Sequence, residues 1–197
     1  MPEYEYGRID KLNKSLKKHK IDENTRKKIM KSGEKIKKTD DNDKKQDWFC
    51  ESMKIMDEVL DNDTKQKVRE DCACCLIGKR QTVCRQVNKQ YATSEERIKA
   101  INETHQVFGN DIKIIDKGKY EVSFYKESIP VKHCACWSWK NDWLLKNKMS
   151  KTYCLCCGGH IKHHLETVLG NEVKVKIVSS ALTSNGKKNC RFELTEV

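Results

Sequence analysis

The chain predicts an α+β fold: a helical N-terminal half, then a C-terminal antiparallel sheet with a packed helix. Three observations predict it. Apolar residues recur at helical spacing through the first half. After Gly109 the period changes to alternation, as in Val173, Val175 and Ile177 and again in Cys190, Phe192 and Leu194. Asn185-Gly186 lies between those two alternating runs, and that dipeptide favours a tight antiparallel hairpin. The expected division is a helical region over residues 1–108 and an α+β unit over 109–197.

In the first half, residues 4–19 and 22–38 are lysine-rich helices with sparse apolar positions, and Asp22 is a natural N-cap for the second. A polar loop over 39–47 precedes the strongest amphipathic run, in which Trp48, Phe49, Ser52, Met53, Ile55, Met56, Val59 and Leu60 share a face. That stripe reads as core. Asp63 can cap a further helix running to Cys75. Val83, Cys84, Val87 and Tyr91 mark the next one. Thr93-Ser94-Glu95-Glu96 has the form of a capping box, opening a helix through Ile98, Ile101 and His105 that Gly109 can end. In the second half, strands are expected over 112–116 and 120–125, joined at Lys117-Gly118-Lys119. Pro130 breaks the pattern, 133–139 reads as extended, and 142–148 as one or two helical turns. A helix is expected over 158–169, with Ile161, Leu165, Val168 and Leu169 inward and Gly170 as its stop.

The 197 residues suffice for a real core without covalent staples. No apolar run approaches the ~20 residues of a membrane span, and the first twenty residues lack the apolar centre of a secretory signal. The expected location is cytoplasmic, where thiols stay reduced, so the 11 cysteines point to metal ligation or thiol chemistry rather than a disulfide framework. The net charge is +11. Lysine supplies 33 of the 40 basic residues, whereas phosphate and base recognition favours arginine. With no nucleic-acid motif beside it, the charge reads as a solvated surface and not as a nucleic-acid interface.

The cysteines form three clusters: Cys72-Ala73-Cys74-Cys75, His133-Cys134-Ala135-Cys136-Trp137, and Cys154-Leu155-Cys156-Cys157-Gly158-Gly159-His160. Two chemistries fit them. A metal needs thiolates or imidazoles converging at ~2.0–2.3 Å, and Cys134, Cys136, Cys154, Cys157 and His160 form a plausible set, with His163 and His164 as alternates. Zinc is the first expectation and an iron–sulfur cluster the second. Alternatively, Cys156 and Cys157 precede a helix, whose N-terminus favours a thiolate, and His160 one turn on could serve as base or charged neighbour. Cys156, Cys157 and His160 are then the catalytic candidates. Cys72, Cys74, Cys75, Trp137 and Trp139 are candidates for a ligand pocket. Cys50, Cys84 and Cys190, each lone on an apolar face, read as small buried hydrophobes.

The pattern Tyr153-Cys-x-Cys-Cys-Gly-Gly-His, a helix ending at Gly170, Val173-x-Val-x-Ile, Ser179-Ser180, Gly186 and Cys190-x-Phe192 resembles an uncharacterised bacterial cysteine-rich family. That family is similar to 4-vinyl-reductase-type small-molecule-binding domains and to L-2-amino-thiazoline-4-carboxylate hydrolase-like proteins. The resemblance covers roughly residues 110–197 and implies an α+β fold, a homodimer and a ligand cavity between helices and sheet. Two functions are therefore carried forward. One is a small-molecule-binding or regulatory protein with a metal or reactive-thiol cluster. The other is a thiol- or zinc-dependent hydrolase of a small sulfur- or nitrogen-containing compound. Whether the chain is an enzyme stays open at this point.

Overall fold

Polar residues placed just ahead of apolar runs set most of the helix starts. In a computed structural model that describes residues 2–104, 107–108, 111–124 and 149–197, the Asp22 carboxylate accepts from Thr25 N at 3.0 Å and opens α2 (Glu23–Ile29), which follows α1 (Gly7–Lys18). Asp41 does the same for α3 (Asn42–Val59) through Lys44 N at 2.7 Å. α3 therefore begins six residues before its apolar stripe, because the cap fixes the start. Trp48, Phe49, Met53 and Met56 are buried, as the stripe requires. Asp61, not Asp63, caps α4 (Asn62–Asp71), which ends before Cys72 and leaves residues 72–78 as a loop. α5 spans Lys79–Gln90. The capping box forms as expected ahead of α6 (Ser94–Thr104): Thr93 N donates to Glu96 at 3.0 Å and Glu96 N to Thr93 Oγ1 at 3.2 Å.

Alternation then takes over. β1 (Lys113–Asp116) and β2 (Lys119–Ser123) form a hairpin, and β3 (Val173–Ser179) pairs with β4 (Arg191–Glu196). All pairings are antiparallel, in the order β1-β2-β4-β3. Val175 faces Leu194 and Ile177 faces Phe192, while Val122 lies across from Phe192 on the other side. The inward face so formed is buried. The Asn102 side chain ties the halves together by bonding both Ile112 N and Ile112 O, at 2.8 and 2.9 Å.

The largest departure from expectation is α7, which spans Lys151–Leu169 rather than 158–169. Ser150 caps it by accepting from Thr152 N, and Gly170 ends it at φ +82°. Cysteine and glycine are weak helix formers, so Cys-x-Cys-Cys-Gly-Gly looks like a turn on propensity alone. Burial overrides propensity here, since Thr152, Tyr153 and Cys154 already face the interior. One hydrophobic cluster runs from Ile9 to Leu194, with Ile161, Leu165 and Val168 of α7 inside it. His105, Gly109, Tyr125, Pro130, the 133–139 segment with its second cysteine cluster, and the 142–148 turns lie outside the described residues.

Candidate functional site at the crossing of α4 and α7

The glycine pair of α7 is what builds the site. A Cβ at Gly159 would lie 2.5 Å from Glu70 O and 2.6 Å from Glu70 Cα, so only glycine lets α4 cross α7 this closely. A Cβ at Gly158 would meet Val175 of β3 at 3.4 Å, an ordinary contact. The helix is thus pressed between α4 on one side and the sheet on the other.

The close crossing carries Arg69 into the interior, where it is 3% exposed. Its Nη2 donates to Tyr153 O at 3.1 Å and its Nε to Thr152 O at 3.4 Å, and the guanidinium lies 5.2 Å from the centre of the Tyr153 ring. The Tyr153 hydroxyl is met at 3.4 Å by Arg8 from α1. No carboxylate pairs with Arg69 among the described residues. Burial works against its charge, and Cys72, Cys156, Tyr153 and Cys157 work for it. A buried guanidinium facing sulfur in place of a carboxylate favours a thiolate.

That thiolate is Cys156. Cys156 is partly buried, with the Cys157 thiol and the Arg69 guanidinium as its electrostatic neighbours. The influence of the Cys157 thiol, with the charges of Arg69 and Arg8, outweighs burial and holds Cys156 well below the ordinary thiol range. Cys72 stands at the end of α4, where its thiol bonds Val68 O at 3.3 Å. Burial pushes it up, while Arg69 pulls the other way. Because α7 starts at Lys151, Cys156 lies too far along it for the helix N-terminus to activate it. The activating charge comes from another helix.

Two residues earlier, Cys154 points elsewhere. It lies 3.1 Å from Ser180 Oγ, near Cys190, and burial pushes it up to about 12. Cys190 is buried and raised as well, and accepts from Ala181 N at 3.4 Å. Cys50 and Cys84 are buried too, as expected of lone cysteines on apolar faces.

The histidines of α7 hold the loop after α4. His160 Nδ1 donates to Cys74 O at 2.7 Å, His163 Nε2 to Leu76 O at 3.2 Å and His164 Nε2 to Cys75 O at 3.0 Å. A carbonyl only accepts, so each of these ring nitrogens carries the hydrogen. The neutral His164 then accepts from the Cys84 thiol, 3.8 Å from its Nδ1. Burial lowers His160 and takes His164 down to about 4, and it raises Cys84 to about 12.

Cys72, Cys156 and Cys157 thus all lie near enough to one arginine to support its charge. The structure places Cys154 against the sheet and His160 on the Cys74 carbonyl, while the Cys74 and Cys75 side chains are exposed. Cys134, Cys136, Trp137 and Trp139 lie outside the described residues. Among the described residues no group of three or more His, Cys, Asp or Glu side chains is arranged to hold a metal ion. Arg69 and Arg8 carry much of the electrostatics and were not singled out from sequence, while Tyr153 and Ser180 entered only as part of the family pattern. Arg69 had one signal: it is one of seven arginines among 33 lysines, and it lies three residues before Cys72.

No protein-family model, curated protein or solved structure matches the chain.

Proposed function

We propose that this protein is a thiol-reactive small-molecule-binding or regulatory protein whose working group is the Cys156 thiolate. One observation carries the reading: a buried arginine without a carboxylate partner among the described residues bonds the backbone of the same helix at Thr152 and Tyr153, and its charge favours a thiolate at the partly buried Cys156. Such a sulfur is nucleophilic near neutral pH, when ordinary thiols of pKa ~8.5 are mostly protonated. Space for a ligand lies along the same helix, at Thr152 and Leu155. A cleft of about 420 Å³ opens between α4, α7 and β3, lined by Gln66, Thr152, Leu155 and Ile177 with Lys65 and Lys151 among its charged groups. That is the place, between helices and sheet, where the resemblance to 4-vinyl-reductase-type domains puts a ligand cavity.

Binding is favoured over hydrolysis because hydrolysis needs a proton acceptor beside the nucleophile. His164 is committed to the Cys84 thiol and is a weak base, and His160 is engaged with the loop. Residue-resolved alkylation of the full chain, with and without chelator, tests the reading. At about pH 6.5 Cys156 should label well ahead of Cys50 and Cys154, and its rate should stop rising well below the ~8.5 of a free thiol. Labelling of Cys156 no faster than Cys50 under both conditions would reject it. Labelling that becomes fast only after chelation would move the site to the metal branch, with zinc as the first expectation.

A further inference from the structure

We infer that Cys72 and Cys156 form a reversible disulfide across the α4–α7 crossing when the protein meets a peroxide. The inference rests on the reading of Cys156 as the reactive thiol and names its partner. Both cysteines lie near enough to Arg69 to support its charge. The chain path brings them there: Arg69 bonds the carbonyls of Thr152 and Tyr153, and Glu70 touches Gly159 at the crossing. Cys74 O reaches His160 beyond it. Cys72 falls between Glu70 and Cys74, and Cys156 between Tyr153 and Gly159. Cys72 also terminates α4 and leads into a loop, so its backbone can shift toward α7 without breaking a helix.

Cys157 is nearer in sequence and is the wrong partner. Consecutive Cα atoms are ~3.8 Å apart, below the ~4.4–6.8 Å that disulfides span, and both residues lie inside α7. Cys154 faces Ser180 and the sheet.

The chemistry needs only a peroxide as oxidant. The Cys156 thiolate attacks one peroxide oxygen, the O–O bond breaks, and hydroxide leaves and takes up a proton to become water. Sulfur has then lost two electrons and stands as a sulfenic acid. The Cys72 sulfur attacks it, the S–O bond breaks, and the departing oxygen leaves as water with the Cys72 proton. The new S–S bond removes the negative charge beside Arg69, so oxidation leaves a buried guanidinium without its thiolate.

Hydrogen peroxide treatment of the full chain, followed by non-reducing digestion and mass spectrometry, tests this. One linked peptide pair joining Cys72 to Cys156 is expected, and dithiothreitol should reverse it. In Cys72→Ser the link should vanish, and dimedone should trap a Cys156 sulfenic acid at several-fold higher yield. Cys72→Ala, checked for native circular dichroism, should behave alike. In Cys156→Ser both products should be lost. A link from Cys156 to any other cysteine, or dimedone trapping unchanged in both Cys72 variants, overturns the inference while fast alkylation of Cys156 leaves the parent reading standing. Slow alkylation of Cys156 rejects the reading itself.

Discussion

Cys154 and Cys156 are two residues apart on one helix, and their surroundings drive them in opposite directions. At 100° per residue they lie on nearly opposite faces. Cys154 shares its face with Gly158, four residues on, and that face meets the sheet. Cys156 shares its face with Gly159, three residues on, and that face meets α4. On the sheet side a thiol finds a hydroxyl, another thiol and apolar strands, and burial keeps it protonated. On the α4 side it finds a guanidinium and a neighbouring thiol, and the thiolate is favoured. Burial does not by itself decide what a cysteine does. The charge buried with it decides.

The glycine pair gives the strongest way to break this contrast. Gly159→Ala forces a methyl against the Glu70 backbone, which cannot give way as a flexible side-chain tip would. Overpacking of this kind costs about 3 kcal/mol, beyond any gain of up to ~1 kcal/mol in helix propensity. The variant should melt well below the parent, and Cys156 should lose its reactivity as α4 is pushed from α7. Gly158→Ala meets only Val175 at 3.4 Å, so it should be near neutral or slightly stabilising. Thermal melts that place the two variants together would refute the idea that the faces are packed differently.

Acid should act on the α4 face next. His164 is fully buried and held neutral, chiefly by burial, then by the charges of His160, His163 and Arg80. The group it faces from α5 is the Cys84 thiol. Its folded pKa is about 4 against an ordinary 6.5, so between these values the unfolded chain binds the extra proton. Stability is therefore intact above pH 6.5, falls as the pH drops toward 4, and levels off below. The span corresponds to roughly 3 kcal/mol, with His160 adding in the same direction. Denaturant titrations of His164→Gln should show a flatter slope across that window. An equal slope would mean that other groups carry the acid sensitivity.

Much of the fold was legible because it depends on local rules. Asp22, the Thr93–Glu96 box, Gly170 and the alternating residues of β3 and β4 each announce their role within a few positions. The site was legible only in part. Cys156 and Cys157 stand out by spacing, but their environment depends on Arg69, 87 residues before Cys156, and no local pattern links the two. The same limit misplaced the start of α7. Gly158-Gly159 reads as the start of the helix until α4 is known to need that space inside it. The histidines looked like ligands or bases for the same reason, since the carbonyls they hold belong to a loop over 80 residues away.

Arg69→Met gives the finest test, since it removes the charge and keeps a long apolar side chain over Tyr153. The stability change should be small, because the buried guanidinium gives up its desolvation penalty along with its bonds. Reactivity should change more. Cys156 keeps the neighbouring Cys157 thiol, the largest of the influences that lower its pKa, so it should not revert to an ordinary thiol. Losing the Arg69 charge should raise its pKa from about 6 by about one unit, which is roughly a threefold loss of thiolate at about pH 6.5. Cys154 should label as slowly as before, because burial sets its state and Arg69 is the weakest of the influences on it. The informative quantity is the ratio of the two rates within one protein. A ratio that falls about threefold assigns the contrast between the faces to Arg69. A ratio that stays unchanged assigns it to Cys157. If Cys154 becomes fast as well, the substitution has loosened the helix, and the two faces are not independent environments at all.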